Sequence, residues 1–101
     1  MRITLLLTVL VSCISLHAQA DRYKRPVFDS VTRHEINYSD VFSDAEHKAD
    51  VYEPFGDTAA SRPLIIYVHG GSFVSGDKRS ADCVDFCTRF ARLCYVAVSV
   101  N

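Results

Sequence analysis

A pair of glycines in the middle of the chain is the feature with the clearest chemical use. The segment HGGSF, residues 69–73, begins where an uncharged run at residues 64–69 ends. Because glycine carries no side chain, the backbone there can approach a substrate closely. Backbone N–H groups that point into one small cavity stabilise the oxyanion that forms during acyl transfer. The segment therefore predicts an anion-stabilising loop at the carboxyl end of a strand.

Serines and histidines near this loop are weaker candidates for catalysis. The sequence identifies no arranged base beside Ser72, Ser75 or Ser80, so we assign none of them as a nucleophile. We interpret His34 and His47 as surface histidines of predicted strands.

Three of the four cysteines lie close together near the end of the chain, at Cys83, Cys87 and Cys94. Their spacing places them on one face of a helix, and we interpret them as small, half-buried side chains. No histidine or further cysteine lies at zinc-ligand spacing beside them, so no metal site is predicted. A redox or metal role remains an alternative, and a disulfide between Cys83 and Cys87 would need poor geometry.

The overall composition is that of a globular protein. The chain has 101 residues, 49% of them hydrophobic and 23% charged, with a formal net charge of −1. This balance excludes a disordered tail and a polybasic arm, and it gives no reason to expect a nucleic-acid partner.

The first twenty residues have the three parts of a secretory signal peptide. Arg2 supplies a positive start, residues 3–16 carry no charge, and an Ala-x-Ala site ends at Ala20. We expect cleavage after Ala20 and a secreted or periplasmic protein with no stable membrane span, because a span takes about 20 apolar residues. An uncleaved anchor is one alternative. A lipoprotein acylated at Cys13 is another, and it fits less well because the apolar run continues beyond that residue.

Two short strands are predicted after a polar leader arm at residues 21–30. Residues 31–38 are rich in β-branched and aromatic side chains, and residues 47–53 form a second strand-like segment that stops at Pro54. Together these segments predict an antiparallel hairpin.

The rest of the chain predicts a strand–helix–strand unit. Residues 64–69 and 95–100 are continuous apolar runs typical of strands buried on both faces. Between them, Ser80 is a predicted N-cap, and Asp85 and Arg89 form a helical i,i+4 pair. The apolar stripe of the helix comprises Cys83, Val84, Cys87, Phe90, Ala91 and Cys94. Because a parallel pair of strands needs helices on both faces and only one helix is predicted, we expect an α/β fold with an incomplete sheet.

These elements carry three motifs that resemble the α/β-hydrolase superfamily. HGGSF followed by VSGDK, residues 69–78, is similar to the HGG[GSA][FW]xxGDK segment of its carboxylesterase and lipase branch. DVYEP, residues 50–54, resembles the second strand of secreted feruloyl- and acetyl-esterase-like enzymes, and YVAVSVN, residues 95–101, resembles their fourth. The resemblance implies that residues 31–101 are the N-terminal portion of an α/β-hydrolase domain.

The same resemblance implies roles for the loop residues. The backbone N–H groups of Gly71 and Ser72 would line an oxyanion hole, Gly70 would shape the turn, and His69 would be a packing and hydrogen-bonding residue. The family's nucleophile lies in a later Gly-x-Ser-x-Gly segment, followed by an acid and a histidine. That segment does not occur in this sequence, so we expect the chain alone to be inactive. In a complete enzyme the substrate would be a small-molecule or carbohydrate-linked ester, and no cofactor would be needed.

Cys94 departs from the family pattern, because relatives commonly have glycine before the aromatic residue. If the helix ends in the left-handed conformation that glycine favours, cysteine there costs about 1 kcal/mol.

The alternative to an esterase fragment is a small secreted binding module or a pseudoenzyme without catalysis.

Overall fold

Four strands and one long helix form the regular structure of the residues that the computed structural model describes, which are 21–71 and 75–101. The elements are β1 (Val31–Asn37), β2 (Lys48–Pro54), β3 (Leu64–Val68), α1 (Ala81–Arg92) and β4 (Val96–Val100), with a 3-10 turn at Ala45–His47. The predicted signal peptide, its cleavage point after Ala20 and the alternative lipid site at Cys13 lie outside the described residues. No described helix has the length and apolar character needed to cross a bilayer.

The predicted antiparallel hairpin is confirmed. Strands β1 and β2 pair along their whole length, with Val31 opposite Pro54 and Asn37 opposite Lys48. Each observed strand lies within one residue of its predicted bounds at each end.

The predicted strand–helix–strand unit is also confirmed. Strands β3 and β4 are parallel, and Leu64 is opposite Val96 while Val68 is opposite Val100. The sheet order is β1-β2-β4-β3, with β2 antiparallel to β4. The result is a mixed α/β sheet in which the last strand lies between two earlier ones.

Helix α1 covers one face of this sheet through its apolar stripe. Cys83, Cys87 and Ala91 are fully buried there, and the core continues into Tyr52 of β2 and Ala97 of β4. The predicted surface pair on the opposite side of the helix forms as well, at 3.1 Å between Arg89 Nε and an Asp85 carboxylate oxygen.

The start of α1 differs from the sequence prediction in its capping. Ser80 occupies the N-cap position, but its side chain makes no capping bond to the helix. Its hydroxyl instead donates to the Asp77 carbonyl at 2.6 Å, because the preceding turn brings that acceptor closer. The hydroxyl therefore stabilises the turn before the helix.

The three cysteines are more buried than the sequence suggested. All are free thiols, and none of Cys83, Cys87 and Cys94 has measurable exposure. Burial raises the pKa of Cys87 to about 11, so little reactive thiolate forms there at neutral pH. Within residues 21–71 and 75–101, no group of three His, Cys, Asp or Glu side chains could hold a metal ion.

The segment predicted as a leader arm is bound to the body of the fold. Both guanidinium nitrogens of Arg22 donate to the Asp57 carboxylate at 2.9 Å, and Arg62 Nε donates to the same group at 2.7 Å. The Tyr23 N–H also donates to the Leu93 carbonyl at 2.9 Å. These contacts attach the arm to the C-terminal end of α1 and to the β2–β3 loop.

The prediction that β3 is buried on both faces is wrong for the residues described. Ile65 and Tyr67 face α1, but Leu64, Ile66 and Val68 on the other face are 59–71% exposed. Their exposure arises because no described element packs on that side of the sheet.

The left-handed end of α1 provides a stability test. Cys94 has a φ of +78°, as its place in the family pattern implied. Cys94→Ala and Cys94→Gly both remove the buried sulfur, but only glycine relieves the backbone strain. We expect the glycine variant to be more stable than the alanine variant by about 1 kcal/mol in urea unfolding. Alanine being equal or better would contradict a strained conformation at this position.

The Asp57 cluster predicts a dependence of stability on pH. Hydrogen bonds from Arg22 hold the pKa of this carboxyl well below its usual range, so the folded state binds its proton less readily than the unfolded state does. The stabilisation is therefore complete above the unfolded pKa of about 3.9 and is lost as the pH falls below it. We expect wild type to exceed Asp57→Asn in unfolding free energy at pH 7, with the difference shrinking by pH 3. Asp85→Asn, which breaks an exposed pair, is the control and should change little at either pH.

Candidate functional site

The glycine loop opens into a cleft at the carboxyl ends of β3 and β4. The cleft has a volume of about 770 Å³. It is lined by Ala45, Glu46, Val68, His69, Gly70, Gly71, Ser75, Gly76, Asp77 and Asn101. Three of the four residues that the resemblance implicated therefore border one cavity. The fourth, Ser72, lies outside the described residues.

His69 leaves β3 half-buried and is engaged with the backbone. Its Nδ1 donates to the Gly70 carbonyl at 2.7 Å. This bond connects the His69 ring to the backbone of the loop.

Two residues of the loop, Gly71 and Gly76, adopt backbone conformations that favour glycine. Gly71 has a φ of +135° and Gly76 a φ of +109°, both in the region that strongly favours glycine. A Cβ on Gly71 would overlap the Ser75 carbonyl, and one on Gly76 would overlap the Gly70 carbonyl oxygen and the His69 ring. At Gly70, by contrast, an added Cβ would meet no atom of the described residues within 4 Å. The backbone therefore needs glycine at 71 and 76 more than at 70, where only close approach of a substrate would require it.

The two adjacent glycines, Gly70 and Gly71, both line the cleft. Among residues 21–71 and 75–101, no acceptor pairs with the N–H of Gly70 or Gly71. The Gly71 carbonyl, in contrast, accepts from the Ser75 N–H at 3.2 Å.

The loop is attached to the sheet by a cluster of charges that sequence reasoning missed. Asp50 of β2 is completely buried and lies 3.2 Å from Lys78 Nζ and 2.6 Å from Arg79 Nε. Burial acts to raise the pKa of the Asp50 carboxyl, but the hydrogen bonds and charges of Arg79 and Lys78 outweigh it and keep the pKa below its usual range. The available signal was that Asp50 and Lys78 lie in two of the three family-like motifs.

The other rim of the cleft is the segment that joins β1 to β2. The Tyr38 hydroxyl lies 2.7 Å from the Asn101 carbonyl, and Asn101 Nδ2 donates to the Ala45 carbonyl at 2.9 Å. His47 pairs with Asp44 and stacks on Phe42, with ring centroids 4.9 Å apart. These contacts attach the rim to the residue that follows β4.

None of the candidate serines forms a nucleophile–base pair in the part of the chain that the structure describes. Ser75 Oγ donates weakly to the Gly71 carbonyl at 3.4 Å, and the Ser80 hydroxyl is used in the turn before α1. His34 is exposed on β1, and neither His34 nor His47 lines the cleft. The described site can therefore offer backbone donors but no complete catalytic group.

Comparison with solved structures identifies the fold around this cleft. A crystal structure of esterase B from Lactobacillus rhamnosis HN001 matches with a TM-score of 0.61 at 21% identity, covering 92% of this chain and 28% of the esterase chain. An inhibited esterase B from Lactobacillus rhamnosis matches with a TM-score of 0.61 at 18% identity, covering 100% of this chain and 32% of that one. The chain thus has the fold of part of these enzymes and spans about a third or less of their length. No protein-family model and no curated protein sequence matches it.

Alanine substitutions at two of the loop glycines test the described loop conformation. We expect Gly76→Ala to lower the free energy of unfolding by about 2 kcal/mol or more, because the new Cβ meets backbone and the φ is strained. Gly70→Ala is the matched control and should cost no more than about 0.5 kcal/mol, because no atom of the described residues lies within 4 Å of the added Cβ. Urea denaturation measures both values, and equal costs would contradict the described loop conformation.

Proposed function

We propose that this chain supplies the opening strands and the oxyanion-binding loop of a serine carboxylic ester hydrolase of the α/β-hydrolase superfamily. The observation that carries the proposal is the glycine loop at the carboxyl ends of two parallel strands, where the Gly70 and Gly71 amides border a cleft and have no acceptor among the described residues. The likeness of the fold to part of esterase B supports the same reaction class.

The chemistry assigns the loop a defined step. A serine hydroxyl attacks the ester carbonyl carbon, its proton passes to a histidine, and the carbonyl oxygen becomes an oxyanion. The N–H groups of Gly71 and Ser72 donate to that oxygen. When the tetrahedral intermediate collapses, the C–O bond to the alcohol breaks and the alcohol takes the proton from the histidine. Water then repeats the sequence on the acyl-enzyme, and neither half requires a cofactor.

The catalytic serine, acid and histidine are placed by this proposal in sequence beyond Asn101. The motif that would carry the serine is absent from residues 1–101, and the described serines have no arranged base. This chain contributes the backbone donors that stabilise the oxyanion and the strands that hold those donors in place.

Contacts among the family-like motifs support the assignment. Asp50 of the DVYEP motif binds Lys78 of the motif at residues 69–78. Asn101 Oδ1 of the YVAVSVN motif accepts from the Lys78 N–H at 2.8 Å. Three segments that resemble one family separately are therefore joined around one loop, which supports the proposal.

The substrate class and location follow as parts of the proposal. The neutral balance of the chain and its exposed cleft suit a small-molecule or carbohydrate-linked ester better than a polyanion. The apolar N-terminal segment and the Ala-x-Ala site that ends at Ala20 support export of the enzyme from the cytoplasm.

Expression of the complete reading frame that contains this chain tests the proposal. We expect hydrolysis of p-nitrophenyl acetate and labelling by a fluorophosphonate at one serine, which peptide mapping places beyond Asn101. A frame that encodes no Gly-x-Ser-x-Gly segment, or a full-length protein that hydrolyses no ester and binds a ligand unchanged, would favour a binding module and overturn the proposal.

Substitution in the loop then tests the oxyanion role. Gly71→Ala displaces the amide from its position, so we expect kcat to fall about 100-fold while KM changes little, as for loss of one oxyanion donor. His34→Ala, on the exposed surface of β1, is the control and should retain wild-type kcat. An unchanged kcat in the glycine variant would remove Gly71 from the oxyanion site.

A further inference from the structure

Lys78 is the most constrained polar residue of the described loop. Its side chain is 95% buried, as its relative exposure of 5% indicates, and Nζ lies 2.8 Å from Glu35 of β1 and 3.2 Å from Asp50 of β2. Burial acts to lower the pKa of this amine, but hydrogen bonds to Glu35 and Asp50 outweigh it and raise the pKa. The ammonium therefore stays charged between two strands.

The backbone of Lys78 is held by a third strand. Its N–H donates to Asn101 Oδ1 at 2.8 Å, and its carbonyl accepts from the buried Ser99 hydroxyl at 2.8 Å. Lys78 thus bonds to β1, to β2, to β4 and to Asn101, the residue that follows β4. A displacement of the residue would break bonds in all three places.

This attachment reaches the glycine loop through Gly76. Only Asp77 separates Gly76 from Lys78, and Gly76 packs so closely on Gly70 and His69 that no Cβ fits between them. The position of Lys78 consequently limits where the Gly70 and Gly71 amides can lie.

We propose that Lys78 is the positioning residue of the oxyanion loop, held in register with the sheet by Asp50, Glu35, Ser99 and Asn101. The inference rests on the proposed function for its catalytic consequence, but its structural core stands on the contacts alone. Moving the ammonium would leave the fully buried Asp50 carboxylate with Arg79 as its remaining cationic partner among the described residues. Because an incompletely paired buried charge is costly, one loop position is strongly favoured over its neighbours.

Two lysine variants of the full-length protein separate this role from a general loss of charge. Lys78→Met and Lys48→Met each remove a positive charge that pairs with Glu35, but only Lys78 belongs to the loop. The reporter is hydrogen exchange at the Ser75 amide, which bonds to the Gly71 carbonyl. We expect its exchange rate to rise at least about tenfold in Lys78→Met and less than about twofold in Lys48→Met. Similar rates in both variants would overturn the inference.

Kinetics of the same proteins test the catalytic consequence. Since the amides act on the developing oxyanion, Lys78→Met should lower kcat at least about tenfold with KM within about twofold, while Lys48→Met keeps both constants. A rise in KM with kcat unchanged would overturn the positioning role. If wild type hydrolyses no ester, the proposed function fails, whereas the exchange result still decides whether Lys78 holds the loop.

A gentler variant keeps the inference testable if Lys78→Met does not fold. Ser99→Ala removes only the hydroxyl that donates to the Lys78 carbonyl, and Ser61→Ala in the exposed β2–β3 loop is its control. We expect exchange at Ser75 to rise about threefold or more in the first variant and to stay at the wild-type rate in the second. An unchanged exchange rate at Ser75 in Ser99→Ala would count against the positioning role of Lys78.

Discussion

The buried carboxylate of Asp50 is the constraint around which the described structure is arranged. It has no exposed surface, so it depends on the cations of the loop before α1 for compensation. Those cations also reach Glu35, and through it the outermost strand β1. A single ionic requirement thus attaches the loop and the start of the helix to two strands that their backbone hydrogen bonds already hold in register.

The cleft illustrates how such a framework can present backbone groups to a ligand. Gly71 and Gly76 adopt conformations that other residues avoid, and the Gly70 and Gly71 amides have no acceptors among the described residues. These unusual conformations are concentrated in two glycines, and contacts outside the loop hold it in place. Esterase B shares the surrounding fold over most or all of this chain.

The elements could be predicted from sequence because local patterns determine them. Apolar runs, the helical stripe beginning at Cys83 and the breaks at Pro54 and Gly70 located each strand and the helix to within a residue or so. Contacts between distant residues could not be predicted, because the spacing of Asp50 and Lys78 in the sequence does not indicate that they meet. The exposure of Ile66 was missed for a related reason: a continuous apolar run shows that a strand can be buried on both faces, but it does not show what covers it.

The sheet order also determines when the fold can assemble. β4 is the last of the four described strands in sequence, yet it lies between β2 and β3 and pairs with both. During synthesis the β1–β2 hairpin can close early, but β3 has no neighbour until residues 96–100 have left the ribosome. Until then its apolar side chains are available for wrong pairings, so this region folds late and through non-local contacts. Rapid formation of α1, which links the two parallel strands, would shorten that interval.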